Sequence, residues 1–365
     1  MIASNRAIRA TFVMEQHLGH RAFYQNLRTS LHNMARLDAR WVEITYDQSD
    51  APWKTWTWMP AQVRGALSGR VQVRQGLGKG SQDVVFFNTQ APAVLGGSLL
   101  RTQPYIICTD ITPKQYDRMG EYYGHQADRP GLLSSYKHWR NVRLLRRAAC
   151  VLPWSNWVRH SLITEYGVAP EKIKVIPPGV DTQWWQPRPP QAPSDKVRIL
   201  FVGGDFQRKG GELLLQAFRA LPAGSAELVL VTRTPVHEGD GVIVRTDLRP
   251  NSPELLELYQ SSDLFVLPTQ AEAFGIAAVE AGAVGLPVIA TNVGGVSDIV
   301  IDGVTGILLE RPDVTLLSAN LQQLLTASAW RQQLGIQART HVERHFDAQT
   351  NAARIFAIIE EIVAR

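Results

Sequence analysis

The stretch SSDLFVLPTQAEAFGIAAVEAGAVGLPVIATNVGGVSDIVIDGVTGILL, from Ser261 to Leu309, decides the fold. It opens with a short apolar run, 264–267, that reads as a buried strand. Pro268 ends the run, because proline has no amide hydrogen to give to a ladder. A loop carrying Glu272 follows. Phe274-Gly275-Ile276 then opens a helix expected over 275–284, which carries Glu280. The first amides of a helix have no partner inside it, and with the helix dipole they form an anion site. Gly275, without a Cβ, lets a phosphate approach the backbone. Glu272 precedes that anion site and Glu280 lies about two turns along the helix. The two carboxylates are therefore placed to reach two ends of one ligand. An apolar run at 288–290 follows, and strand, helix, strand in that order is a βαβ unit of a parallel sheet.

The same alternation runs through all 365 residues. In the first half, strands are expected at 10–14, 41–45, 84–87, 105–108, 150–153 and 174–176, with helices such as 21–37 and 132–149 between them. The segment 177–196, PPGVDTQWWQPRPPQAPSDK, holds six prolines and no periodicity, so it reads as a linker. After it come strands at 197–202, 227–231, 264–267 and 288–290, helices at 210–221 and 275–284, and a helical tail from 313. The length suits two domains of about 100–200 residues each. The expected architecture is α/β, with two doubly wound Rossmann-like domains, 1–178 and 179–345, facing a cleft. Ligands in such folds lie at the carboxyl ends of the strands, here expected in that cleft.

Composition narrows the function classes. Apolar residues make up 45% and charged residues 19%, an ordinary globular mix. No run of apolar residues is long enough to span a bilayer, and the start reads as a first strand rather than a leader. Cys108 and Cys150 each sit in an apolar segment, which suits buried thiols and a cytoplasmic setting better than a disulfide framework. Charge is uneven. Residues 1–180 hold 23 lysines and arginines against 12 acids, a surplus of +11, whereas residues 181–365 hold 15 against 21, or −6. The basic half is expected to face something anionic: a phosphorylated acceptor, or an anionic membrane surface at which the protein associates peripherally. Nucleic acid is not expected, because no recognition motif accompanies the charge. Two further features of that half are Trp53, Trp56 and Trp58 in a proline-flanked stretch, and Lys137, Arg140, Arg143, Arg146 and Arg147 along one helix. Aromatics suit sugars or membrane interfaces, but partial burial and a solvated basic face are equally ordinary readings. The run Gly76-Leu-Gly78-Lys-Gly80 precedes a strand rather than a helix, so it reads as a turn and not a phosphate loop.

A second loop carries anion chemistry. In Phe201-Val-Gly203-Gly204-Asp-Phe-Gln-Arg208-Lys209-Gly210-Gly211 a buried strand ends in glycines and leads to a helix with two cations at its mouth. A helix start plus cations makes a diphosphate cradle.

The run from Ser261 resembles the C-terminal domain of family 4 (group 1) glycosyltransferases, retaining enzymes of the GT-B fold. The hallmark is a glutamate, seven residues and a second glutamate, with Phe-Gly behind the first. Glu272-Ala-Phe274-Gly275-Ile276-Ala-Ala-Val-Glu280 matches it, and Gly285-Leu-Pro, Gly294-Gly295 and Asp302-Gly303 continue it. The resemblance implies that Glu272 contacts the donor sugar and Glu280 the ribose. It implies that Lys209 neutralises the diphosphate, helped by Arg208 and the backbone at Gly203, Gly204 and Gly275. Gly204 stands where the family has an arginine. At the first turn, Gly19 matches one member of a family glycine pair and His20 replaces the other. Asp110 matches the acid of a His-Asp pair whose histidine is here Thr109.

The function so implied is transfer of a sugar, with retention, from a nucleotide-diphosphate sugar to a glycan, lipid-linked or small-molecule acceptor. Glu272, Lys209 and Asp110 are its expected catalytic residues. No cofactor is expected. No metal is expected either, because the sequence has no Asp-x-Asp pair and no zinc-spaced cluster. The departures at Gly204 and Thr109 leave an alternative, a nucleotide-sugar-binding protein with impaired catalysis. The resemblance also implies that a last helix, about 346–365, packs back on the first domain.

Overall fold

The computed structural model describes residues 6–188 and 196–365, apart from 17, 33, 48–52, 54, 55, 57 and 79. Residues 189–195 of the expected linker lie outside the described residues, as do residues 1–5, His17 in the first turn and Lys79 in the glycine turn.

The chain divides into two compact units. The first runs up to Gln115 and resumes over Ala127–Pro177 and Gln349–Arg365, and the second holds Tyr116–Gln126 and Pro178–Ala348. The segment Tyr116–Gln126 lies within the span read from sequence as the first domain, yet its contacts place it in the second unit.

The first unit is built on five parallel strands: β1 (Ile8–Glu15), β2 (Leu37–Ile44), β3 (Val84–Phe87), β4 (Tyr105–Thr109) and β5 (Cys150–Pro153), in the order β2-β1-β3-β4-β5. Every residue of β3, β4 and β5 is buried. That explains why they read as continuous apolar runs: helices cover both faces of a parallel sheet. Val13, Phe87, Ile107 and Val151 form one core with Val158 and Leu162 of the helix Asn156–Thr164, whose first turn is capped by Ser155 accepting from the Val158 amide.

Two expected elements differ. The first helix is Leu18–Leu31 rather than 21–37, because residues from Leu37 onward pair with β1, Leu37 beside Ile8. The run 174–176 is no strand. Ile173 bridges Val151, and the Lys174 and Ile176 amides donate to Val151 and Pro153, but Pro177 and Pro178 have no donors with which to extend the ladder.

The second unit has six parallel strands: β6 (Val197–Val202), β7 (Ala226–Val231), β8 (Val242–Arg245), β9 (Leu264–Leu267), β10 (Val288–Thr291) and β11 (Gly306–Leu309), in the order β11-β10-β9-β6-β7-β8. From β6 the chain winds outward through β7 and β8, then returns to β9 on the other side of β6. The strand order thus reverses between β6 and β9, and a crevice at the carboxyl ends of those two strands is the place such a sheet offers a ligand. The last helix, Ala348–Val363, carries Glu361 2.7 Å from Lys174 Nζ and Glu360 3.0 Å from Arg36 Nη1, both partners in the first unit's sequence.

Candidate active site

The loops that leave β6 and β9 are the two loops singled out above, and they are stitched together at the reversal. The Gln270 amide donates to the Arg208 carbonyl at 2.9 Å, and the Thr269 hydroxyl lies 3.2 Å from the same carbonyl. Lys209 Nζ donates to Glu272 Oε2 at 2.9 Å. Both side chains are largely buried, so this pair sits where water screens it poorly. Gly203 makes the arrangement possible: a Cβ there would lie 2.7 Å from Lys209 Cδ, so only glycine leaves room for the lysine stem. At Gly204, by contrast, a Cβ would meet nothing within 4 Å.

Arg208 is held differently from Lys209. Its Nε donates to Asp205 Oδ2 at 3.0 Å and its Nη1 to the Ala271 carbonyl at 2.7 Å, while the guanidinium lies 4.6 Å above the Tyr123 ring. Nη1 is also 3.8 Å from Glu272 Oε2. In this arrangement Arg208 ties one loop to the other.

Gly275 takes φ +105°, a conformation open to glycine, and caps the helix Ile276–Ala283. Phe274 is buried and packs near Phe346, which fixes the start of that helix. Glu280, on its second turn, is buried and accepts a hydrogen bond from the Tyr259 hydroxyl at 3.0 Å. Burial pushes the Glu280 carboxyl up to about 7, against the opposing effects of Tyr259 and of the Lys209 charge. Burial and the neighbouring carboxylate raise Tyr259 well above its ordinary range. Gly294 supports the opposite end: a Cβ there would lie 1.7 Å from the Glu272 carbonyl oxygen. The second glycine run therefore backs directly on the loop that carries Glu272.

The first unit gathers its own cluster. Its strand order reverses between β1 and β3. Gly19 and His20 lie in the first turn of Leu18–Leu31, just past β1, and nothing crowds a Cβ at Gly19. His20 Nε2 is 3.5 Å from Asp110 Oδ2, at the end of β4. The His20 ring sits 5.3 Å from the Trp154 ring, and Trp154 Nε1 donates to Cys108 Sγ at 3.0 Å. Burial raises the Cys108 thiol, which is a packed group and not a nucleophile. Thr109 ties β4 to its neighbours, with its hydroxyl 2.7 Å from Gln90 Oε1 and 2.8 Å from the Ile111 carbonyl.

Sequence reasoning passed over Tyr259, Tyr123 and Asn88. Asn88 pairs with the Glu15 backbone, accepting from its amide at 2.7 Å and donating to its carbonyl at 3.2 Å. The strand-reversal rule points to it once the order is known, because it follows β3. Tyr259 and Tyr123 come from distant helices and carry no local signal.

Two family descriptions match the chain: "Glycosyltransferase Family 4" over residues 31–184 and "Glycosyl transferases group 1" over residues 241–341. Between them they take in most of it. The chain belongs to the family 4, group 1 glycosyltransferases. Among curated members, it is 32% identical over 237 residues to the MMP alpha-(1->4)-mannosyltransferase of Mycolicibacterium hassiacum, 61% of this chain and 56% of that one. It is 32% identical over 214 residues to the D-inositol 3-phosphate glycosyltransferase of Corynebacterium diphtheriae, 50% of this chain and 49% of that one. The chain thus spans about half the length of the curated relatives it matches. Solved structures agree on the fold. Sucrose-phosphate synthase from Thermosynechococcus elongatus superposes with a TM-score of 0.76 at 20% identity, over 98% of this chain and 100% of that one. Anabaena HepE in complex with UDP-glucose gives 0.70 at 18% identity, over 96% and 98%. The fold is GT-B, two parallel-sheet α/β domains.

Proposed function

We propose that this chain is a retaining glycosyltransferase that uses a nucleotide-diphosphate sugar. The observation that carries the reading is the meeting of Lys209, Glu272 and the start of the Gly275-capped helix at the reversal between β6 and β9. A diphosphate fits a cation and a helix N-terminus, and its ribose fits the buried Glu280 beyond them. The complex of Anabaena HepE with UDP-glucose supports this donor class.

Catalysis is then stabilisation of the charge that develops on the leaving diphosphate. Lys209 and the backbone amides at Ile276 supply it, with no metal ion, and Arg208 acts chiefly by holding the loops together. Lys209 exchanges its Glu272 partner for phosphate oxygens, which frees Glu272 to accept from the donor sugar hydroxyls. The acceptor hydroxyl attacks from the face the diphosphate leaves, and the phosphate takes its proton. His20 and Asp110, 3.5 Å apart within the first unit, are that unit's groups suited to hold an acceptor hydroxyl. The acceptor class is a glycan, a lipid-linked sugar or a small molecule.

The test is a thermal-shift screen of nucleotide sugars, followed by transfer with the donor that binds and by NMR of the product. Binding with transfer and a retained anomer is expected. Binding without transfer to any acceptor or to water would favour an impaired sugar-nucleotide binder, and no binding at all would overturn the reading.

A further inference from the structure

The helix Leu132–Arg147 of the first unit has two faces that bury and expose apolar groups in an unusual way. Inward, Leu145 is buried and Val142 and Leu144 pack against the core. Outward, Leu132 is 93% exposed, Leu133 64%, Tyr136 53% and Trp139 52%. Leu132, Tyr136, Trp139 and Arg143 recur at steps of three or four, so they line one stripe of the helix. The helix carries Lys137, Arg140, Arg143, Arg146 and Arg147 and no acid. Arg140 and Arg143 lie over the Tyr136 and Trp139 rings, at 5.9 and 5.4 Å from their centroids. The stripe is therefore apolar toward its start and cationic toward its end.

We propose that this face is a docking surface for an anionic phospholipid bilayer, lying in the interface with Leu132, Leu133 and Trp139 inserted and Arg140 and Arg143 among the headgroup phosphates. Charge and apolar pattern together select that occupant. Large apolar groups beside arginines suit an interface whose inner part is hydrocarbon and whose outer part is negative. A nucleic acid would leave Leu132 and Leu133 without a partner. A second copy docking by this face would bring like charges together, since a two-fold contact sets the same patch against itself. Among the described residues no helix is long and apolar enough to cross a membrane. The proposal stands apart from sugar transfer, because its evidence and its test concern lipid alone.

The experiment is flotation of the full chain with vesicles of phosphatidylcholine alone or with added phosphatidylglycerol. Capture is expected on the anionic vesicles only, and should weaken as salt shortens the Debye length. An arginine near such a surface contributes about fivefold in affinity, so Arg140→Gln with Arg143→Gln should lose about tenfold or more. Leu132→Ser with Leu133→Ser should lose a comparable amount. Both pairs are exposed, and unchanged thermal melts will show that they fold. Equal binding to neutral vesicles, no binding, or variants that bind like the parent would overturn the proposal. So would a lipid-independent dimer in gel filtration that these variants dissociate.

Discussion

Lys209 Nζ rests 2.9 Å from Glu272 Oε2, so the cation and the carboxylate proposed for two parts of one donor neutralise each other. Two charges on largely buried side chains would be costly unpaired. The pair gives each charge a partner, and a bound donor would offer each group a second one to turn to.

Lys209→Ala should lower turnover by about 10²–10³-fold, the loss usual for one electrostatic stabiliser of a leaving group. Glu272 would keep Arg208 at 3.8 Å as a distant counter-charge, so the fold should survive. Steady-state rates with a far-UV melt check both halves. Near-normal turnover would remove Lys209 from the chemistry, and activity lost to EDTA and restored by Mg²⁺ would show that an ion does its work.

Glu280 should trade stability against binding. Its carboxyl is held near 7, above its ordinary 4.5, by burial. Below about 4.5 it is protonated whether the chain is folded or not, and its contribution to stability is whole. As pH rises through that window the unfolded chain gives up the proton first, so stability is lost until the folded carboxyl has ionised too. Glu280→Gln removes that slope. Its melting temperature should exceed the parent's above pH 7 and match it near pH 4. The same variant should bind nucleoside diphosphate about tenfold more weakly, since a hydrogen bond to a charged group contributes about 1.5–3 kcal/mol. Calorimetry at two pH values checks both signs, and a variant less stable than the parent at pH 8 would refute the assignment.

Glu272→Gln should differ in kind. The proposed partner is the transferred sugar, so donor turnover should fall while free nucleoside diphosphate binds almost as before. Equal weakening of product binding by both glutamine variants would show that the two roles are not divided as proposed.

Gly294→Ala should reach Glu272 from behind. The new Cβ would lie 1.7 Å from the Glu272 carbonyl, on a backbone with φ +57°. Displacing it costs about 1–3 kcal/mol by the strain usual for such positions. The melt should drop and donor turnover should fall with it. An alanine variant of full activity would show that the loop position is not critical.

Gly204→Arg is expected to gain. Nothing stands within 4 Å of a Cβ at Gly204, so a side chain can start there without a clash, and Arg208 is already engaged with Asp205, Ala271 and Tyr123. A further cation at the β6 loop should tighten nucleoside-diphosphate binding several-fold, by titration calorimetry. Unchanged affinity would place the diphosphate away from this loop.

The run from Ser261 was legible because each local signal agrees with the tertiary result. Buried parallel strands are continuous apolar runs, Pro268 ends one, and Gly275 opens a helix where it caps one. The segment 174–176 was misread because Lys174 followed by two β-branched residues looks the same whether or not a ladder continues past it, and the prolines decided it. The helix expected to reach residue 37 was cut short by strand pairing, a contact that no local window contains. In the site, Lys209 and Glu272 could be named separately, but their pairing depends on the order β9-β6, and Tyr259 meets Glu280 only after two helices pack. The pairing of His20 with Asp110 is likewise a gift of topology, joining the ends of β1 and β4.

The lodging of Tyr116–Gln126 in the second unit bears on how this chain can be taken apart or recombined. A gene fragment starting at Pro178 would omit Tyr123, baring the face of the Arg208 guanidinium and loosening the loop that presents Lys209. A chimera meant to import another member's donor specificity must therefore carry two stretches of chain, 116–126 and 178–348, as a single inheritance. Swaps made at the obvious proline-rich joint alone should yield proteins that fold yet hold their nucleotide loosely.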